Sequence, residues 1–295
     1  MKKSIFFVIN PIAGFRKDKT KYIDIIKKEF DDYRLEIYLT KQRKDAIRIT
    51  GEAIASGFET VVAVGGDGTV NEVATGLCGT RSALGIIPMG SGNGLARSLK
   101  IPINFKKSLE VLKHGRLVQI DMGRAGHRHF CAVAGIGLDA IVGYRFDQTK
   151  WRGPLPYFII TAQEIFRYRP ETCVLELEGQ KMTCEPFLLT LANTQQFGNG
   201  AIIAPHAKCN DGYLDLCLVP NLPKHIIIAS VPRLFNGTLA SHPRITYKKV
   251  SKLVVKKSSQ IRFHVDGEPD ETSGELSFEV LPGALNVWAS ANWQA

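Results

Sequence analysis

The chain has 295 residues, 44% of them hydrophobic and 22% charged, a balance that excludes intrinsic disorder, collagen-like repetition and fibrous structure. A formal net charge of +10 points to an anionic partner: a phosphate, an acidic lipid surface or nucleic acid. At this length two domains are favoured over one. The cysteines Cys78, Cys131, Cys173, Cys184, Cys209 and Cys217 show no CxxC spacing, which fits a reduced, cytoplasmic chain. The apolar run Ile5 to Ile9 stops at Asn10-Pro11 and reads as a first strand rather than a signal peptide. No apolar stretch approaches the roughly 18 residues that span a bilayer, so any membrane contact is expected to be peripheral.

Up to residue 120, short apolar runs alternate with helical periodicity. Ile5 to Ile9, Leu35 to Leu39, Val61 to Val64 and Leu84 to Ile87 predict strands; Ile23, Ile26 and Phe30, then Ala46, Ile49 and Ala53, then Val70, Val73, Ala74 and Leu77 fall at helical spacing. Phe105, Leu109 and Leu112 extend the series to a helix stop at Gly115. This βα rhythm predicts a parallel sheet covered on both faces, with ligands at the carboxyl ends of its strands.

From Val118 onward strands follow one another through short turns: Val118 to Arg124, His129 to Ala134, Cys173 to Leu177, Phe187 to Leu191, Tyr213 to Val219, Leu253 to Val255, Ile261 to Val265 and Leu276 to Val280. An antiparallel sandwich is the natural reading, interrupted by helices near Pro154 to Tyr168 and Pro223 to Phe235. The expected division is 1–120 and 121–281.

Three glycine-bearing turns follow the first, third and fourth strands: Asn10-Pro11-Ile12-Ala13-Gly14, Gly65-Gly66-Asp67-Gly68-Thr69-Val70-Asn71-Glu72, and Pro88-Met89-Gly90-Ser91-Gly92-Asn93-Gly94. Glycine lets backbone N–H groups approach phosphate oxygens, and a following helix turns its positive end toward them. In a parallel sheet the three turns open at one edge. Asp67 would repel phosphate unless it holds a magnesium ion or organises the loop. Neither a Walker A pattern nor a dinucleotide fingerprint fits these turns.

These residues, with Thr40 followed by Asp45-Ala46, Asn210-Asp211-Gly212 and Asp266-Gly267-Glu268-Pro269, resemble the diacylglycerol kinase catalytic-domain family, which includes bacterial lipid kinases and the sphingosine and ceramide kinases. The resemblance implies a three-layer α/β nucleotide-binding domain of the NAD kinase and phosphofructokinase kind, followed by a β-sandwich lipid domain, with a last strand over 282–295 that rejoins the first domain. It implies ATP at Asn10, Pro11, Gly14, Thr40, Gly65, Gly66, Asp67, Gly68, Thr69, Asn71, Glu72, Ser91 and Asn93. A structural Mg²⁺ is implied at the Asp211 side chain with the carbonyls of Lys208 and Tyr213, a general base at Asp266 and a neighbouring carboxylate at Glu268. In some branches the base is drawn from the acid at Asp67. Asp139 resembles an acid that meets the lipid head group in sphingoid kinases; a solvated loop or helix-start residue is the alternative.

The chemistry is coherent without the resemblance. Phosphoryl transfer calls for neutralised charge and an aligned hydroxyl, and one well-placed carboxylate that accepts the hydroxyl proton contributes about 10² to 10⁴ in rate. Together with the resemblance, this makes the expected function transfer of the γ-phosphoryl of ATP, with Mg²⁺, to a membrane lipid hydroxyl, most simply diacylglycerol. A sphingoid base or ceramide is the alternative acceptor, ahead of NAD or a silent nucleotide-binding module. The expected partners are the lipid at a membrane surface and no nucleic acid, and a homodimer is compatible with the sequence. The segment Gly153 to Ile160 with Arg167, Tyr168 and Arg169 suits a bilayer surface or a core helix, and Lys248, Lys249, Lys252, Lys256 and Lys257 suit either anionic head groups or a solvated edge strand.

Overall fold

The computed structural model describes residues 2–14, 19–149, 154–198 and 200–294, with only the backbone at Pro154. Two compact units result, Met1–Ile120 with Gly283–Ala295, and Asp121–Pro282.

In the first unit, β1 (Ser4–Ile9), β3 (Thr60–Gly65) and β4 (Ala83–Pro88) are buried along their whole length, so both of their faces need helical cover. With β2 (Arg34–Leu39), whose residues are partly exposed, they pair in parallel in the order β2-β1-β3-β4. The helices are α1 (Thr20–Glu29), α2 (Asp45–Ala55), α3 (Asp67–Leu77), α4 (Gly94–Ser98) and α5 (Phe105–His114). One sheet face presents Ile5, Phe7, Ile9, Val62, Val64 and Ile87 to Ile26 and Phe30 at the end of α1 and to Leu109 and Leu112 of α5. Phe7 meets Phe30 edge-on at a centroid distance of 5.5 Å. α5 stops at His114, before Gly115.

The second unit contains β5 (Arg116–Ala125), which enters it from the first unit, then β6 (Arg128–Phe130), β7 (Val133–Gly137), α6 (Leu138–Gln148), α7 (Pro154–Arg167), β8 (Cys173–Leu177), β9 (Gln180–Cys184) and β10 (Pro186–Ala192). It continues with β11 (Gln196–Gly198), β12 (Ala201–Ile202), β13 (Leu214–Pro220), α8 (Lys224–Asn236), a short 3₁₀ turn, β14 (Thr246–Val250), β15 (Lys252–Val265) and β16 (Glu268–Ala289). Alternate residues of β8, β10, β13, β15 and β16 build one core, from Leu175, Leu189 and Leu216 to Phe263 and Phe278. The outer face of the sheet is covered by Leu138 and Val142 of α6, Ile165 of α7 and Ile227 of α8, gathered around Phe187.

Two predicted strands, Leu253 to Val255 and Ile261 to Val265, are one 14-residue strand. An irregularity between Lys256 and Gln260 lets its first half pair with β8 and its second half with β7, the device by which a strand passes between the two layers of a sandwich. Likewise Leu276 to Val280 and the expected returning strand are one 22-residue strand, β16, which pairs with β15 and then, at Asn286 and Val287, with β4. The predicted strand His129 to Ala134 breaks after Phe130, where a carboxylate described below takes up its backbone N–H groups.

Phe7 is fully buried, and Phe7→Ala leaves a cavity that helices on one sheet face cannot collapse to fill. The expected loss is about 3–5 kcal/mol, read as a lower midpoint in denaturant unfolding; a loss under about 1 kcal/mol would contradict this packing.

Candidate active site

The turns after β1, β3 and β4 meet within the first unit. Gly66 and Gly90 approach so closely that a Cβ on Gly90 would lie 2.6 Å from the Gly66 Cα, and one on Gly14, at φ +75°, would lie 3.4 Å from the Met89 carbonyl oxygen. No side chain fits between the backbones of the second and third turns. Met89 N–H donates to the Gly65 carbonyl (2.7 Å), and Asn10 Nδ2 donates to Thr69 Oγ1 (3.2 Å), which ties the first turn to the second.

The tie between the second and third turns is Asp67. Its Oδ2 accepts from the Asn93 N–H (2.8 Å) and its Oδ1 from the Gly94 N–H (2.7 Å). Asn93, at φ 52°, closes its own turn by accepting from the Gly90 N–H (2.9 Å) and donating Nδ2 to the Gly90 carbonyl (2.6 Å). Of the two roles open to Asp67, organising the loop is the one the geometry displays. The first helical hydrogen bond of α3 runs from the Val70 N–H to the Gly66 carbonyl, so the amides of Asp67, Gly68 and Thr69 precede the helical ladder, as an anion-binding helix start requires.

The other expected nucleotide residues sort by geometry. Pro11 is half-buried, Gly14 and Ser91 are exposed, and Gly65, Thr69 and Asn71 are buried. The Thr40 N–H donates to the Ile9 carbonyl (2.9 Å), which puts it beside the first turn. Glu72 turns the other way: its carboxylate accepts from the N–H groups of Lys44 (2.8 Å) and Ala46 (3.1 Å) and so caps α2. Two cationic residues absent from the sequence reading belong here. Lys19 Nζ donates to the Ala13 carbonyl and Arg97 Nε to the Gly92 carbonyl (3.0 Å), which brings positive charge to the first and third turns. Burial lowers the pKa of Lys19.

In the second unit, Asp266 sits at φ 48° and its carboxylate accepts the N–H groups of Cys131 (2.8 Å), Ala132 (2.9 Å) and Val133 (3.0 Å). That is the break between β6 and β7. Glu268 is paired with Arg128 (2.9 Å), and its side chain retains 36% exposure. Arg128 also reaches Asp270 (3.1 Å). Asp139, in the first turn of α6, is buried: it accepts from Thr190 Oγ1 (3.0 Å) and the Ala140 N–H (2.8 Å), with His264 Nε2 at 3.1 Å. It is thus not a solvated loop acid.

The set Asp211, Lys208 and Tyr213 does not present itself as a cation cage. Asp211 accepts from the Tyr213 N–H (3.1 Å) and carries the Lys249 ammonium on Oδ2, whose pKa that hydrogen bond raises. Nearby, burial raises the pKa of Asp215, and its Oδ2 is buried without a hydrogen-bond partner. Even so, the described residues hold no group of three or more acid, histidine or cysteine side chains able to bind a metal. Lys248, Lys256 and Lys257 are likewise paired, with Glu178, Glu176 and Glu171, so that basic run is a neutralised edge rather than a bare cationic patch.

Asp45 shapes the turn after β2, with Oδ2 accepting from the Lys41 N–H (2.9 Å) and Tyr38 Oη (3.2 Å) and Oδ1 pairing with Arg48 (2.8 Å). The Lys41 N–H, aided by Arg48 and Tyr38 against the opposing effect of burial, holds its carboxyl below the ordinary value. A depressed carboxyl stabilises the fold above its unfolded pKa of about 3.9, and that contribution is lost as pH falls through the lower folded value. Asp45→Asn is therefore expected to unfold more readily than the parent at pH 7 and to converge with it in the acid range, as thermal melts at a series of pH values would read; a difference independent of pH would contradict this role.

Comparison with known proteins follows the two units. The family model described as diacylglycerol kinase catalytic domain matches residues 4–125, and that described as YegS C-terminal NAD kinase beta sandwich-like domain matches residues 132–289. A diacylglycerol kinase of Staphylococcus aureus (strain MRSA252) is 29% identical over 278 residues, covering 91% of this chain and 87% of that one. One from Staphylococcus saprophyticus is 28% identical, covering 91% and 90%. Among solved structures, a diacylglycerol kinase from Bacillus anthracis str. Sterne superposes with a TM-score of 0.74 at 22% identity over 98% of this chain and 97% of that one. An NAD kinase from Archaeoglobus fulgidus in complex with ATP gives 0.52 at 14% identity, covering 97% and 94%. The two structures share the fold, a mixed α/β unit followed by a sandwich-like one. With a family model matched on each side of the boundary between its units, the chain belongs to the diacylglycerol kinase catalytic-domain family.

Proposed function

We propose that the protein is an ATP-dependent lipid kinase that moves the γ-phosphoryl group of ATP to the hydroxyl of diacylglycerol. The observation that carries the reading is the backbone contact of Gly66 with Gly90, stapled by Asp67, because a sheet edge built from touching glycine turns is suited to phosphates and to little else. The relatives of similar length named diacylglycerol kinases support the acceptor, and the shared fold of an NAD kinase in complex with ATP supports the donor.

In this reading the amides of Gly66, Gly68 and Thr69 meet the phosphates, with Lys19 and Arg97 adding charge at the flanking turns. A magnesium ion carried by the nucleotide would neutralise charge between its phosphates, while Asp67 acts on the site by holding the second and third turns together. The geometry favours a different division of labour from that expected for the second carboxylate pair. Asp266 spends its oxygens on three backbone N–H groups and anchors the turn, whereas Glu268, partly exposed and oriented by Arg128, is the acid that accepts the hydroxyl proton.

Glu268→Gln is expected to keep ATP affinity and unfolding midpoint while turnover falls by about 10² to 10⁴. Asp266→Asn is expected to lower the midpoint as well, since an amide NH₂ cannot accept where the carboxylate does. Wild-type turnover in Glu268→Gln would remove that residue from the proton-accepting role.

The lipid is met at the membrane surface, and α7 with α8 supplies the contact. Leu155, Phe158, Ile159 and Phe166 of α7 are 68%, 44%, 43% and 59% exposed, and Ile228 and Phe235 of α8 are each 44% exposed; Phe158 and Phe235 touch at a centroid distance of 6.1 Å. None of these six side chains belongs to the buried cluster around Phe187 that holds Ile165 and Ile227. Arg167 and Arg169 are exposed at the end of α7, as an anionic bilayer would favour. Gly153, at the head of the predicted segment, lies outside the described residues. No described helix is long and apolar enough to cross a membrane. Replacing Phe158 and Phe166 together by Asp should lower co-sedimentation with phosphatidylglycerol vesicles at least about tenfold and spare turnover of a dispersed short-chain diacylglycerol; undiminished co-sedimentation would exclude this face.

A further inference from the structure

The hairpin of β8 and β9 holds chemistry that a kinase reaction does not use. Its turn, Glu178-Gly179, has φ 52° and 79°, the signature of a tight two-residue hairpin that fixes register. Pairing then runs outward from Leu177 and Gln180 to Cys173 directly opposite Cys184. Side chains directly opposite on antiparallel strands share a face, with Cα atoms about 4.5–5.5 Å apart, inside the range of about 4.4–6.8 Å that a disulfide tolerates. The two sulfurs lie 3.8 Å apart and need only close to about 2.05 Å, a side-chain rotation that leaves the ladder intact.

The two thiols differ in surroundings. Cys173 is 3% exposed and packs in the core with Leu175 and Leu253, whereas Cys184 is half-buried at the end of a strand bonded, among the described residues, to β8 alone. Cys173 also lines a cavity of about 260 Å³ shared with Tyr168, Glu171, Lys257 and Arg262, so the pair has open space on the Cys173 side as well. The greater exposure of Cys184 marks it as the sulfur that reacts first.

We propose that Cys173 and Cys184 form an oxidisable dithiol, a covalent modification site that a hydroperoxide converts into an intramolecular disulfide joining β8 to β9. The Cys184 thiolate attacks one peroxide oxygen; the O–O bond breaks, the oxygen bonded to sulfur becomes a sulfenic acid, and the other leaves as water or an alcohol with the proton that the thiol gave up. The Cys173 sulfur then attacks the Cys184 sulfur, the S–O bond breaks, and the hydroxyl leaves as a second water with the Cys173 proton. The two thiols lose two electrons and two protons, and the peroxide gains both. The product closes a loop over the ten residues 174–183 and pins an edge strand that otherwise depends on one ladder. This inference stands apart from the lipid kinase reading, since it needs neither ATP nor lipid.

The test uses the full reduced chain with a small excess of hydrogen peroxide, alkylation of remaining thiols, and trypsin without reductant. Lys181 lies between the two cysteines, so cleavage there leaves peptides that only a disulfide keeps together. The expected result is a Cys173–Cys184 linked pair, abolished by dithiothreitol and formed at least about tenfold sooner than oxidation of Cys78, Cys131, Cys209 or Cys217. Both thiols remaining alkylatable while Cys78 oxidises, or linkage only between separate molecules, would overturn it. In Cys173→Ala the reaction should stop at a Cys184 sulfenic acid captured by dimedone, while Cys184→Ala should leave Cys173 reduced; capture at Cys173 instead would refute the assignment of the attacking sulfur.

Discussion

A single carboxylate, that of Asp67, holds together the two glycine turns on which the proposed phosphate site depends. Two glycine turns whose backbones touch have no side chains with which to hold one another, and their amides repel when they converge on one point. Asp67 meets this by accepting the N–H groups of Asn93 and Gly94, so that the third turn is fastened to the first residue of α3. The remaining ties, Asn10 to Thr69 and Met89 to Gly65, then have a rigid partner. A charge that looks ill-suited to a phosphate loop is what gives the loop its shape.

Two acids of the second unit act in the same way. Asp266 gathers three consecutive amides at the point where β6 gives way to β7, and Asp139 gathers Thr190 and His264 beneath α6. Desolvating a carboxylate is costly unless hydrogen bonds repay it, and each of these is repaid locally. Glu268, also partly exposed, is held by a side chain instead, that of Arg128. Hydrogen bonding to backbone N–H groups thus separates the acids that shape the chain from the one proposed to exchange a proton with a ligand.

Much of this was legible in the residues. Uninterrupted apolar runs at β1, β3 and β4 are what a sheet covered on both faces requires, and the glycines after them announce turns at one edge. The long strands β15 and β16 were not legible, because Ser258-Ser259 and Pro282-Gly283 read as punctuation while the structure runs through both as irregular but continuous strand. Nor were the partners of the acids. The sequence does not show that Asp211 carries the Lys249 ammonium or that the Glu72 carboxylate accepts the first N–H groups of α2. Motif spacing marks where a carboxylate stands, but its role is set by donors more than twenty residues away, which periodicity does not report. Lys19 and Arg97 carry no motif, and only the carbonyls they reach connect them to the site.

The central claim is that these turns deliver the terminal phosphoryl group of ATP to a lipid hydroxyl. It is tested most directly by giving the purified chain ATP labelled at the γ-phosphorus together with vesicles containing diacylglycerol, and NAD in a parallel reaction, and locating the label by mass spectrometry. The account predicts label in phosphatidic acid, dependent on the protein and absent from NADP. Label found in NADP, or released only as inorganic phosphate while diacylglycerol stays unmodified, would contradict it.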